Sequence, residues 1–180
     1  TDAEEAAFAQ LNNEIEKPLE ATDNFEPCDD SPSWALCIRI MGPVEVVNQE
    51  WEPVRFEKSK SQELLTWLVL HRERPTRIAA RTALWGISVQ DATFNNVVSG
   101  LRKAVKTSSP EILSRGVNDL LLLNSDVITD HELLLSAIHS VKRDLNDETI
   151  EELTRAMGLV RDLPFAGHDY VWADAEGITS

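Results

Sequence analysis

The sequence predicts an α+β fold in which a short sheet is followed by three helices, a hairpin and further helices. Three observations carry this reading. Apolar residues alternate with period two between Trp34 and Phe56. The spacing becomes helical from Leu64 to Val105. Short apolar runs then flank Gly116-Val117-Asn118-Asp119, a turn-forming stretch that suits a hairpin.

The first segment stands apart from this pattern. In residues 1–20, Ala7, Phe8, Leu11 and Ile15 share one helical face, so an acidic amphipathic helix is expected there. Residues 21–33, with Pro27 and Pro32 among several Asp, read as linker. From Trp34 the chain reads as strands. Leu36, Ile38 and Ile40 alternate with Cys37, Arg39 and Met41, Gly42-Pro43 interrupts, and Val44 to Val47 resume. Asn48-Gln49-Glu50 then turns the chain toward Pro53-Val54-Arg55-Phe56, and the expected sheet is antiparallel.

A first helix follows. Ser59 and Gln62 have capping-box spacing, and Leu64, Leu65, Leu68 and Val69 form its buried stripe. Pro75 ends that unit. Thr76 can cap a second helix with Ile78, Ala79 and Leu84 inward, and Gly86 suits the residue just past its end. After Ile87 to Asp91 comes a third helix, Asp91–Lys106, whose Phe94, Val97, Val98, Leu101 and Val105 lie on one face. Two arms, Ile112 to Arg115 and Leu120 to Leu123, complete the hairpin. Sheet, helix, helix, turn, helix and hairpin in that order make a winged helix-turn-helix over residues 34–129, with the third helix suited to the major groove and the hairpin as wing. From Thr129 onward the chain reads as helices. Thr129 or Asp130 starts one that runs through Val141. A second, from about Asp147, carries Ile150, Leu153, Met157 and Val160 at helical spacing and stops before Pro164. Phe165 to Trp172 is expected to connect to another helix.

Chemistry concentrates on the third helix. Opposite its apolar face stand Asn95, Ser99, Arg102 and Lys106, with Asn96 and Lys103 on a flanking row, and no acid follows Asp91. Amide, hydroxyl and cationic groups are those that read base edges and hold phosphates. These six residues, with Arg115 near the wing tip, are the candidate DNA contacts. Cations in a last helical turn also complement the macrodipole, which is the plain structural account of the same residues.

Charge is unevenly distributed. The formal net charge is −14, which opposes phosphate binding. Residues 1–33 hold ten acids and one cation, and residues 144–180 hold nine acids and two cations. The middle, 34–143, holds fourteen cations against twelve acids, so it can still present a basic face. Cys28 and Cys37 have no His at ligand spacing and are expected as reduced thiols, not a zinc site. His71, His131, His139 and His168 are scattered, and HExxH, CxxC and glycine-rich phosphate motifs are absent. No catalytic residues, metal or cofactor are therefore expected, and the chain is not read as an enzyme. The tryptophans sit in apolar periodic contexts and are expected as core or interface anchors. No apolar run approaches ~18 residues, so no membrane contact is expected of this segment. The chain opens on Thr and closes on Gly-Ile-Thr-Ser, and it is read as a piece of a longer protein.

Several segments carry a family resemblance. Met41-Gly-Pro-Val-Glu-Val, Glu52-Pro-Val-Arg-Phe, Lys60-Ser-Gln-Glu-Leu-Leu, Leu84-Trp-Gly and Leu101-Arg-Lys-Ala-Val resemble the winged-helix domain of the actinobacterial antibiotic regulatory proteins (SARP type), itself similar to response-regulator DNA-binding domains. Leu159 to Gly167, with Tyr170, Trp172, Ala173, Asp174, Ala175 and Glu176, resembles the opening of the bacterial transcriptional activator domain (BTAD), a tetratricopeptide (TPR)-like helical array. The resemblance covers about residues 34 to 180. It implies a cytoplasmic transcription regulator that binds double-stranded, direct-repeat promoter DNA through its third helix and wing. RNA polymerase is implied as a protein partner, with a second copy of the chain, as a homodimer, a further candidate. Val98, Ser99, Leu101, Arg102, Lys103 and Ala104 match the family's recognition helix. Gly100 replaces the usual Arg, and Asn118-Asp119-Leu120-Leu121 replaces an aromatic, basic wing. These departures, with the acidic flanks, leave a second reading: a winged-helix protein-interaction module without DNA binding.

Overall fold

The computed structural model describes residues 33–73, 75–86, 89–109, 111–114 and 119–178. The expected N-terminal helix, most of the linker, Cys28, and the wing tip with Arg115 lie outside the described residues. Strand β1 (Leu36–Arg39) is the centre of a three-stranded sheet, flanked by β2 (Glu45–Asn48) and β3 (Val127–Thr129). β2 runs antiparallel to β1, with Ile38 opposite Val46. β3 runs parallel to it, with Leu36 opposite Val127 and Ile38 opposite Thr129. The expected wholly antiparallel sheet is thus corrected to a mixed one. The expected third segment contributes one bridge, Val47 to Pro53, and one backbone hydrogen bond, in which Val54 N donates to Val46 O at 2.8 Å. Proline has no N–H to continue a ladder. The central position buries β1 on both sides. Leu36, Ile38 and Ile40 enter the main core, while Cys37 joins Trp34 and Val47 under Ile128 and Leu133.

Helix α1 (Ser59–Leu70) buries Leu64, Leu65, Leu68 and Val69 as its spacing predicts. The expected capping box does not form. Lys58 precedes the helix without a side-chain cap, and the Gln62 amide donates instead to the Val44 carbonyl at 3.0 Å. Helix α2 (Arg77–Trp85) begins as expected, with Thr76 Oγ1 accepting from Ala79 N at 3.1 Å. It ends at Gly86, whose φ of 65° is the left-handed conformation that favours glycine. Of its expected inward residues, Leu84 is buried and Ala79 is half-buried against the core, whereas Ile78 is 68% exposed and Ala80 takes the remaining buried place. Helix α3 (Asp91–Val105) buries all five residues on its predicted apolar face.

The hairpin arms pair through a bridge between Leu113 and Leu123, supported by Ser114 N to Leu122 O at 3.0 Å and Asn124 N to Ile112 O at 2.9 Å. The second arm is also fastened to the start of α2, where Leu121 N donates to Pro75 O at 2.7 Å and Arg77 N to Asp119 O at 2.9 Å.

Helix α4 (Asp130–Arg143) starts on a full capping box between Thr129 and Glu132. The Asp130 carboxylate is wholly buried, and it accepts from the amides of Ile40 at 2.9 Å, Met41 at 3.1 Å and His131 at 3.0 Å. Three amide donors replace the hydrogen bonds to water that burial removes. Helix α5 (Asp147–Met157) is capped by Asn146. Of its expected apolar residues, Leu153 is half-buried, whereas Ile150, Met157 and, beyond the helix, Val160 are exposed, and Ala156 is buried. The chain then returns to the β1–β2 turn, with Arg161 N on Met41 O at 2.9 Å and Phe165 N on Ile40 O at 3.0 Å. Phe165, Tyr170 and Trp172, the last in the short α6 (Val171–Ala175), enter the same core as α1 and α3.

Candidate nucleic-acid interface

The packing that buries one face of α3 determines what the other face shows. Asn95, Asn96, Ser99, Arg102, Lys103 and Lys106 are all exposed, so the structure brings six of the seven sequence-predicted residues to one side of one helix. Arg115, the seventh, lies outside the described residues.

Their electrostatic surroundings differ. Lys103 Nζ stands 2.6 Å from Glu57 Oε1, just ahead of α1, and this ammonium holds the Glu57 carboxyl below its usual range. Among the described residues, Arg102 and Lys106 form no ion pair, and Asn96 makes no side-chain hydrogen bond. Asn95 is held from the neighbouring helix, where the Arg77 guanidinium donates to its Oδ1. Arg77 also lies over the Phe94 ring, 4.9 Å from its centroid, and its Nε is 3.5 Å from Asp119 on the wing. One side chain therefore touches α3 and the wing from the first turn of α2.

Arg81, one turn further along α2, donates to Asp91 Oδ1 at 2.5 Å and to the Val89 carbonyl, bracing the approach to α3. Reasoning from α3 alone missed Arg77 and Arg81. Their signal was available: two arginines four residues apart after a capping threonine, on the helix that precedes the polar face.

Gly100 faces inward, toward α1. Ser61 Oγ donates to the Val97 carbonyl at 2.9 Å across this contact, and a Cβ at residue 100 would meet that same oxygen at 2.7 Å. A side chain at residue 100 would therefore require the Ser61 hydroxyl to move.

Among the described residues the surface is thus a polar helix face with two cations that form no ion pair, three further cations paired to Asp91, Asp119 and Glu57, and the amides of Asn95 and Asn96 in its N-terminal half. Among the described residues, no cluster of His, Cys, Asp and Glu could hold a metal ion, and no helix is long and apolar enough to cross a membrane. His168 leans on Tyr170 at a ring distance of 5.2 Å. Of the tryptophans, Trp34, Trp67 and Trp172 are buried, while Trp51 is half exposed and meets Trp34 edge-on at 5.4 Å.

No family model matches the chain, and no curated protein matches it. Among solved structures the chain is similar to Mycobacterium tuberculosis EmbR, determined in complex with a low affinity phosphopeptide. The likeness has a TM-score of 0.57 at 20% identity and covers 80% of this chain. It covers 40% of the EmbR chain, so the present sequence spans well under half of that protein's length. At this identity the likeness is one of fold, and it fits a mixed α+β, winged-helix-like arrangement.

Proposed function

We propose that this chain is the DNA-binding part of a cytoplasmic transcription regulator of the antibiotic-regulatory-protein type, with α3 reading the major groove. One observation carries the proposal: in a chain of net charge −14, the outward face of α3 is all amide, hydroxyl and cation beyond Asp91, and all six of those side chains are exposed. Such a face offers base-edge readers and phosphate ligands together. EmbR, whose fold the chain shares, is a regulator of that same family, which supports the reading. In this proposal residues 34–129 form the DNA-binding domain, residues 130–180 open a BTAD, TPR-like segment, and promoter DNA, RNA polymerase and a second copy of the chain are the partners.

Asn95, Asn96 and Ser99 would meet bases, while Arg102, Lys103 and Lys106, with Arg115, would meet phosphates. The test is an anisotropy titration of the chain against pooled random duplexes at two salt concentrations. Binding that weakens as salt rises, followed by selection of a preferred sequence, is the expected result. No salt-dependent binding at low ionic strength would transfer this face to a protein partner.

A further inference from the structure

The Arg77 guanidinium is held from several sides at the start of α2. It lies over the Phe94 ring, 4.9 Å from the centroid. Its Nε stands 3.5 Å from the Asp119 carboxylate, and the Arg77 backbone N–H donates to the Asp119 carbonyl at 2.9 Å. Its Nη2 donates to Asn95 Oδ1 on the polar face of α3. A planar fork restrained by a ring, a carboxylate and an amide is fixed in place.

This contact also fixes which way the Asn95 amide is turned. A guanidinium carries N–H donors and no acceptor, so the amide meets it with its oxygen. Turned the other way, N–H would face N–H. Among the described residues Asn95 Nδ2 donates to no other group, and Asn95 is exposed. The half of the amide left free is therefore its NH2. A cation on the oxygen polarises the amide and strengthens those N–H donors.

The base edge that Asn95 can read changes accordingly. A free asparagine pairs with adenine through two bonds, accepting from N6 and donating to N7. With Oδ1 engaged by Arg77, the adenine N6 amine loses its acceptor and faces another NH2. Guanine presents O6 and N7 in the major groove, both acceptors, and suits an NH2 group alone. We infer that Arg77 is a specificity-determining positioning residue, which holds the Asn95 amide as a donor and so selects guanine over adenine at the base opposite Asn95. The inference rests on α3 reading the major groove, and it adds the class of base edge that one position takes.

The test uses the full chain and a duplex selected from a random pool. The position read by Asn95 is the one whose preference disappears in Asn95→Ala, and each base pair is placed there in turn. In competition anisotropy the wild-type chain is expected to favour guanine over adenine about tenfold. Arg77→Met keeps an apolar chain over Phe94 but removes the donors, and it is expected to pass the preference to adenine. Asn95→Asp offers acceptors only, and it is expected to pass the preference to cytosine, whose N4 amine donates. A merely structural role for Arg77 would instead weaken every duplex in the same proportion. Asp119→Gly cuts the tie to the wing at a φ of 64° that glycine adopts without strain, and guanine is expected to stay preferred. Circular dichroism melts check that each variant is folded. The inference is overturned, with the DNA reading intact, by any of these results: no position answering to Asn95→Ala, adenine preferred by the wild type, guanine still preferred by Arg77→Met, or the same shift in Asp119→Gly. No salt-dependent binding by the wild-type chain overturns both.

Discussion

Gly100 and Ser61 set the distance between the two central helices. The Ser61 hydroxyl spans from α1 to the Val97 carbonyl on α3 at 2.9 Å, and the space a Cβ would need at residue 100 is filled by that oxygen. Glycine in a helix interior costs about 1 kcal/mol against alanine, and here it is kept by close packing. Gly100→Ala is therefore expected to destabilise the domain by about 1–3 kcal/mol, as overpacking does. In a Ser61→Ala background the oxygen is gone, and the same change should become stabilising by up to about 1 kcal/mol. Urea melts of the four proteins in this cycle decide it, and additive effects would refute the contact.

Core and surface leucine and serine should behave oppositely. Leu68 is wholly buried in the main cluster, so Leu68→Ala should cost roughly 2–5 kcal/mol through the cavity it leaves. Ser99 is exposed on α3, and Ser99→Ala should change stability by about 0.5 kcal/mol or less. Denaturant midpoints with the reverse order would show the helix to be faced wrongly.

The Glu57–Lys103 pair withholds one cation from the proposed DNA face. Under that reading, Glu57→Gln should tighten duplex binding and raise the salt slope by about one unit, because one more phosphate contact becomes available. Lowering the pH acts in the same direction. The Glu57 carboxyl sits below its usual range, so it releases Lys103 only as pH falls through that lowered value. An unchanged slope in the variant counts against Lys103 as a phosphate ligand.

Asn96 and Lys106 separate specificity from affinity. Asn96 carries no competing side-chain hydrogen bond among the described residues, unlike Asn95, which Arg77 holds. Asn96→Ala should cost about 1–3 kcal/mol on a preferred site and relax selection at one base. Lys106→Ala should weaken all duplexes alike and lower the salt slope by about one unit. Anisotropy on matched and mismatched duplexes distinguishes the two behaviours.

Cys37 should be chemically silent while the protein is folded. Burial, with the nearby Asp130 carboxylate, pushes its thiol from an ordinary 9.0 up to about 12. A raised value means that the neutral thiol is the form the fold favours. Its stabilisation is full below pH 9.0 and is lost as pH rises toward about 12. Thiol titration at pH 8 should therefore show Cys37 unreactive in buffer and reactive in denaturant. Prompt reaction in buffer would contradict the burial of β1 on both faces.

Much of this was legible along the chain. Helix α3, its five buried residues, the Thr76 and Thr129 caps and the Gly86 terminus all follow from local spacing and local hydrogen-bond chemistry, which neighbouring residues fully express. Partner choice was not. Three residues, Val127 to Thr129, carry too short a period to announce a strand, and their pairing with β1 spans most of the domain. Ser59 and Gln62 had the spacing of a capping box, but the helix already includes Ser59, Lys58 takes the N-cap position, and the Gln62 amide donates to the Val44 carbonyl eighteen residues earlier.

The candidate interface divides along the same line. Sequence by itself determined which α3 residues face water, because helical periodicity and the burial of the opposite face leave no other place for them. Only the tertiary structure decided which of those cations stand unpaired. Glu57, Asp91 and Asp119 reach Lys103, Arg81 and Arg77 from other segments, and ion pairs depend on distances in space that no one-dimensional spacing encodes. It also decided that Gly100 serves the helix–helix contact, and that Ile150 and Met157 of α5 face solvent while Leu153 is half-buried.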